Sequence, residues 1–155
     1  MPVVISKKII GLTGIMILVI LAGVAVLSWP KHNSIVEGSA LVNGQIIHLE
    51  IADTWPKQIQ GLSGRQTMPE NYGMLFIYPQ YQLQNFWMKD MHFPLDFLWI
   101  KDDTIVGVLT DIPPSMDQPL PTYQSPEPVN FVLELNAGIV KKFNIKIGDT
   151  ILLRY

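Results

Sequence analysis

Leu95-Asp96-Phe97-Leu98-Trp99-Ile100, followed by Lys101-Asp102-Asp103-Thr104 and then Ile105 to Thr110, is the stretch on which the fold turns. Alternation puts Leu95, Phe97 and Trp99 on one face of a strand and Asp96, Leu98 and Ile100 on the other. Both faces are apolar, as in a strand covered on two sides. The polar quartet supplies a turn, and Ile105 to Thr110 supplies a returning strand. Asp96 shares its face with two hydrophobes, so its carboxylate is sheltered from water.

The same pattern recurs in Val129 to Leu135. Phe131, Leu133 and Leu135 occupy one face there, and Val132 and Glu134 the other. A buried, unpaired charge costs several kcal/mol, so each carboxylate needs a cation, hydrogen-bond donors or a shifted pKa. By residue type the cations are Lys89, at the end of Phe86-Trp87-Met88, and Arg65, one of two arginines. Arg65, Lys89, Asp96 and Glu134 are therefore the candidate polar cluster. If they meet, they form a ligand-binding cleft or an acid–base site in which a carboxylate is the base and Lys89 or Arg65 steadies negative charge. Dispersed, they are structural ion pairs that fix strand register.

Outward from these strands, Ala40 to Val42 and Gln45 to Ala52 flank Asn43-Gly44, a two-residue hairpin signal. Asp53 or Thr54 caps a short helix with Pro56 in its first turn, ending near Gly61 or Gly64. Further strands are predicted over Gly73 to Tyr78, Phe86 to Lys89 and Thr150 to Arg154, and a second short helix over Ala137 to Lys142. Six of the twelve prolines fall between Pro113 and Pro128, which predicts a long loop without regular structure. The expected fold is mainly β (α+β), a compact domain over residues 40–155 with one or two short helices.

Composition narrows the function. The 155 residues are 48% hydrophobic and only 15% charged. Much of the surplus lies in Ile9 to Trp29, which carries no charge and is long enough to cross a bilayer of about 30 Å as a transmembrane helix. A cleaved signal peptide is the alternative, but its apolar region runs to about 7–15 residues. Lys7 and Lys8 keep residues 1–8 cytoplasmic by the positive-inside rule, so a linker over 30–39 leads to a periplasmic or extracellular domain. Nine basic and thirteen acidic residues follow Pro30, a net charge of −4, which gives no case for nucleic acid. With no cysteine there is no thiolate metal site or cysteine nucleophile.

Several motifs fall short. Gly61-Leu62-Ser63-Gly64-Arg65 lacks the second glycine of a nucleophile elbow. His32, His48 and His92 are far apart and sit in no zinc pattern, and the soft cluster Met88, Met91 and His92 would straddle both faces of a strand. No metal or cofactor is expected. Trp55, Trp87, Trp99 and Tyr123 could stack on a sugar or peptide, with core packing the default.

The order of pieces resembles the DUF192 family, also called UPF0127. It runs Leu49-Glu50-Ile51-Ala52, Gly61-Leu62-Ser63-Gly64-Arg65, Gly73-Met74-Leu75-Phe76, then Phe86-Trp87-Met88-Lys89 with Pro94-Leu95-Asp96. Val132-Leu133-Glu134-Leu135 with Gly138, and Gly148-Asp149, complete it. Asp90-Met91 replaces the family's usual Asn-Thr, and Ser63 stands where Met is common. The resemblance implies a compact, barrel-like β fold, frequently exported or membrane-tethered, with no established activity. It marks Arg65, Lys89, Asp96 and Glu134 as lying in recurring motifs. The resulting expectation is a membrane-anchored domain that binds a small ligand or an envelope partner through a polar cleft, with a hydrolase or lyase, or a purely structural assembly role, as the alternatives.

Overall fold

The computed structural model describes residues 37–155. The transmembrane helix expected over 9–29 lies outside the described residues. Among the described residues no helix is long and apolar enough to cross a membrane.

The Asn43-Gly44 signal forms its hairpin. Strands β1 (Gly38–Val42) and β2 (Gln45–Ala52) pair antiparallel, and both turn residues take the positive φ, 50° and 75°, that a primed two-residue turn requires. Helix α1 (Trp55–Gln60) then carries the chain across to β3 (Tyr72–Gln82), which runs parallel to β2. After β4 (Asn85–Trp87) come β5 (Leu95–Lys101) and β6 (Thr104–Ile112), joined by the turn at Asp102-Asp103. Strand β8 (Val129–Asn136) inserts between β3 and β5, antiparallel to both. Helix α2 (Ile139–Lys142) and β9 (Leu152–Arg154) complete the chain, with β9 on the outer edge of β1.

The seven strands run β6-β5-β8-β3-β2-β1-β9, and the sheet curls until its two edges meet. Thr104 at the start of β6 bridges Thr150, and Ile105 and Gly148 exchange backbone bonds with Asp149 and Ile105. The curl encloses one apolar cluster that includes Leu49, Leu75, Leu98, Leu133 and Ile151. A second cluster, with Phe76, Phe86, Phe97, Trp99 and Val132, covers the opposite face. This explains why β5 and β8 are apolar on both sides. The mainly β, barrel-like architecture with two short helices agrees with the sequence reading.

The proline-rich stretch departs from it. Residues 113–128 were expected to lack regular structure, yet β7 (Thr122–Gln124) pairs antiparallel with β4. Without that pairing, the backbone groups along β4 would have no sheet partner. Buried Ser125 extends the contact, its N–H donating to the Gln84 carbonyl and its Oγ accepting from the Gln84 N–H.

Candidate functional site

Register decides which polar residues meet. Across an antiparallel pair, facing residues project to the same side of the sheet. Asp96 faces Leu135 and Glu134 faces Phe97, so the two buried carboxyl groups point to opposite faces. Asp96 turns inward with the Leu98 cluster, and Glu134 outward with Phe97.

Asp96 is fully buried and meets its need with backbone donors rather than a cation. Its Oδ1 accepts the Asp111 N–H and its Oδ2 the Val140 N–H, both at 2.9 Å. Val140 lies in the first turn of α2, so the carboxylate satisfies an otherwise orphaned helix donor and ties α2 to the sheet. Lys89 is exposed and forms no ion pair among the described residues. Its contribution is through backbone: the Lys89 carbonyl accepts from Ser63 Oγ, and the Asp90 carbonyl accepts from the Gly64 N–H. These bonds pin the loop after α1 against the segment after β4.

That loop delivers Arg65. Its guanidinium grips Glu50 through two bonds of 2.6 and 2.7 Å, the planar fork-to-carboxylate arrangement. The bond to Glu50 raises the Arg65 pKa further, against the opposing effect of burial. Glu50, Met74, Glu134 and Phe97 stand in one row across β2, β3, β8 and β5. Arg65 therefore feels the field of Glu134 but gives its hydrogen bonds to Glu50. Of the four candidates, only Arg65 and Glu134 lie near enough for the charge of one to act on the other, without a hydrogen bond between them.

Glu134 is 5% exposed, and burial pushes its carboxyl up to about 8, with Arg65 pulling more weakly the other way. At neutral pH the group is mostly protonated and can donate a hydrogen bond. Tyr78, in the same region, is raised above its ordinary value by burial and by Glu134. Both line a half-open pocket of about 210 Å³ between α1, the following loop, β3 and β4. Phe76 and Phe86 pack edge to face beside it, and Gln58, Gln84, Trp55 and Trp87 also line it. Gln84 is buried, and its Nε2 has no hydrogen-bond partner among the described residues.

Sequence reasoning missed Glu50, Tyr78 and Gln84. Ile47, Leu49 and Ile51 occupy the inner face of β2, which makes Glu50 look solvent-facing; the loop that brings Arg65 half-buries it. Of the four aromatic residues considered for stacking, Trp99 is in the core and Tyr123 half-buried, while Trp55 and Trp87 are exposed. His92 is exposed and Met88 is core, so the Met88, Met91 and His92 grouping is split by burial.

A crystal structure from Sinorhizobium meliloti 1021, described as a proposed transcription regulator, is 32% identical with a TM-score of 0.67, covering 75% of this chain and 91% of that one. Another, of a protein of unknown function from Novosphingobium aromaticivorans DSM 12444, is 25% identical with a TM-score of 0.67, covering 74% and 83%. A search of curated proteins finds no match. The DUF192 model, described as an uncharacterized ACR, matches residues 39–153, from the first strand to the last. The chain belongs to the DUF192 family.

Proposed function

We propose that this domain binds a small ligand in the pocket above Glu134, and that residues 9–29 tether it to a membrane with the domain facing outward. The observation that carries the binding reading is the pairing of a buried carboxyl with the partnerless Gln84 amide in one half-open cavity. Buried polar groups without partners are uncommon, and a ligand is one way to satisfy them. The tether rests on the uncharged run from Ile9 to Trp29 and on Lys7 and Lys8 before it. Among the described residues no lysine or arginine lines the pocket, and the domain is net negative, so neither favours a nucleic-acid partner. An envelope protein that inserts a side chain into the pocket would use the same contacts.

The test is a thermal-shift and tryptophan-fluorescence screen of the full chain in lipid nanodiscs. A ligand that raises Tm and changes the emission of the unmodified chain, but not of Trp87→Phe, supports the reading. A broad panel without effect on either signal overturns it. For the tether, alkaline extraction should leave the chain in the membrane pellet; release to the supernatant overturns that part.

A second reading is favoured by the raised Glu134 pKa. A carboxyl protonated up to about pH 8 can serve as a general acid towards a bound substrate. Turnover abolished by Glu134→Gln with ligand affinity retained would mark catalysis.

A further inference from the structure

The pocket's lining narrows the ligand beyond the binding reading, on which this inference rests. At its mouth stand two indoles, Trp55 at 74% and Trp87 at 45% exposure. Neither serves the core. Trp55 lies one turn before Ile59 on α1, a helix with no buried residue, so this i, i+4 apolar pair has no internal face to cover. Trp87 is the outward member of a strand segment whose neighbours, Phe86 and Met88, are buried. Exposed indoles lining one cavity mark a contact surface for something flat.

Among the described residues the polar lining consists of amides, hydroxyls and one carboxyl. Gln84 Nε2 is a buried donor without a partner among the described residues. Gln58 commits its Nε2 to the Ala52 and Ile77 carbonyls, which leaves its Oε1 as an acceptor held in a fixed place. Asn85 Oδ1 accepts from Gln124, which leaves its amide N–H groups as donors. The Glu134 carboxyl and the Tyr78 hydroxyl add to these, and Gln60, Ser63 and Gln82 also line the cavity. The cavity therefore offers donors and acceptors together, without a cation to hold an anionic group. Its 210 Å³ is below the ~300–1,000 Å³ of sites for drug-sized ligands, so a single ring is the right scale.

We propose that the pocket binds a neutral sugar ring, its C–H face against Trp87 or Trp55 and its hydroxyls on the Gln84 and Gln58 amides and the Glu134 carboxyl. A hydroxyl both donates and accepts, which matches this mixed lining. A phosphorylated or carboxylate ligand would find no counter-charge in it. A quaternary ammonium ion would use the indole faces but leave the Gln84 donor unmet.

The test measures binding to the full chain in nanodiscs, which avoids detergents with sugar heads. The probes are glucose, galactose, N-acetylglucosamine, glucose 6-phosphate, choline and benzoate, read by tryptophan fluorescence and calorimetry. The expected result is saturable binding of at least one neutral sugar, about tenfold weaker in Trp87→Ala or Trp55→Ala and in Gln84→Met. The tryptophans are exposed, and Met keeps the volume of Gln, so each variant is checked for an unchanged melting temperature. Choline, benzoate or the phosphate ester binding in place of neutral sugars overturns this inference and leaves the pocket reading standing. No probe binding overturns the sugar inference, and the broader screen then judges the pocket reading separately. Sugar binding undiminished in all three variants overturns it as well, because the sugar then sits elsewhere.

Discussion

Two acidic side chains, almost equally buried, meet the cost of burial in opposite ways. Asp96 stays in the core by accepting two backbone N–H groups, whereas the Glu134 carboxyl lies outside hydrogen-bond range of Arg65 and holds its proton. Asp96→Asn offers an amide N–H to one of those two buried donors. It should cost about 1–3 kcal/mol in urea denaturation, with ligand binding at the Glu134 pocket untouched because Asp96 faces the other side of the sheet. For Glu134 the pKa rises on folding from an ordinary 4.5 to about 8. The native state then binds the proton more tightly than the unfolded chain. Its contribution to stability is complete below about pH 4.5 and is lost as pH climbs through 8. Denaturation at pH 5, 7 and 9 should show stability falling by a few kcal/mol for the native sequence. Glu134→Gln should flatten that slope and be the more stable form at pH 9; an unchanged slope would show that Glu134 is not its source.

At the scale of elements, β8 is the strand on which the others depend. It is flanked by β3 and β5 and covered on both faces, so its neighbours must approach closely. Gly73 on β3 is one consequence. A Cβ there would lie 2.7 Å from the Glu134 carbonyl oxygen and 2.8 Å from Leu135 Cδ2. Gly73→Ala should therefore push β3 from β8 and cost about 1–3 kcal/mol, read as a lower urea midpoint with an unchanged slope. The hairpin at Asn43-Gly44, the turn at Asp102-Asp103 and both helices were legible because each rests on local chemistry. A strand at β4 was predicted over Phe86 to Lys89, but its partner β7 was not. Thr122–Gln124 has too short a run to carry a period, and it became a strand because β4 needed a partner.

Across the whole molecule, the curled sheet has two apolar faces, and the pocket sits under the outer layer, away from the enclosed core. That separation lets the site vary without unfolding the curl. Hydrogen exchange should rank the amides accordingly: slowest in β8 and the adjoining parts of β3 and β5, and fastest in the β4–β7 ribbon and α1. Uniform protection across the ribbon and β8 would contradict this layering. Among the described residues, the Thr104 to Thr150 bridge and a few backbone bonds join the edges.

The sequence alone determined that Asp96 and Glu134 are buried, because period-two alternation among apolar neighbours fixes which side of a strand a residue takes. It likewise determined most of the strands, β7 excepted, and the family. Tertiary structure decided which of these residues meet. Strand register sent Asp96 and Glu134 to opposite faces, and a loop closing over β2 gave Arg65 to Glu50 and left Lys89 in solvent. Pairing between strands far apart in the chain depends on the energy of the whole sheet, and no local pattern records it.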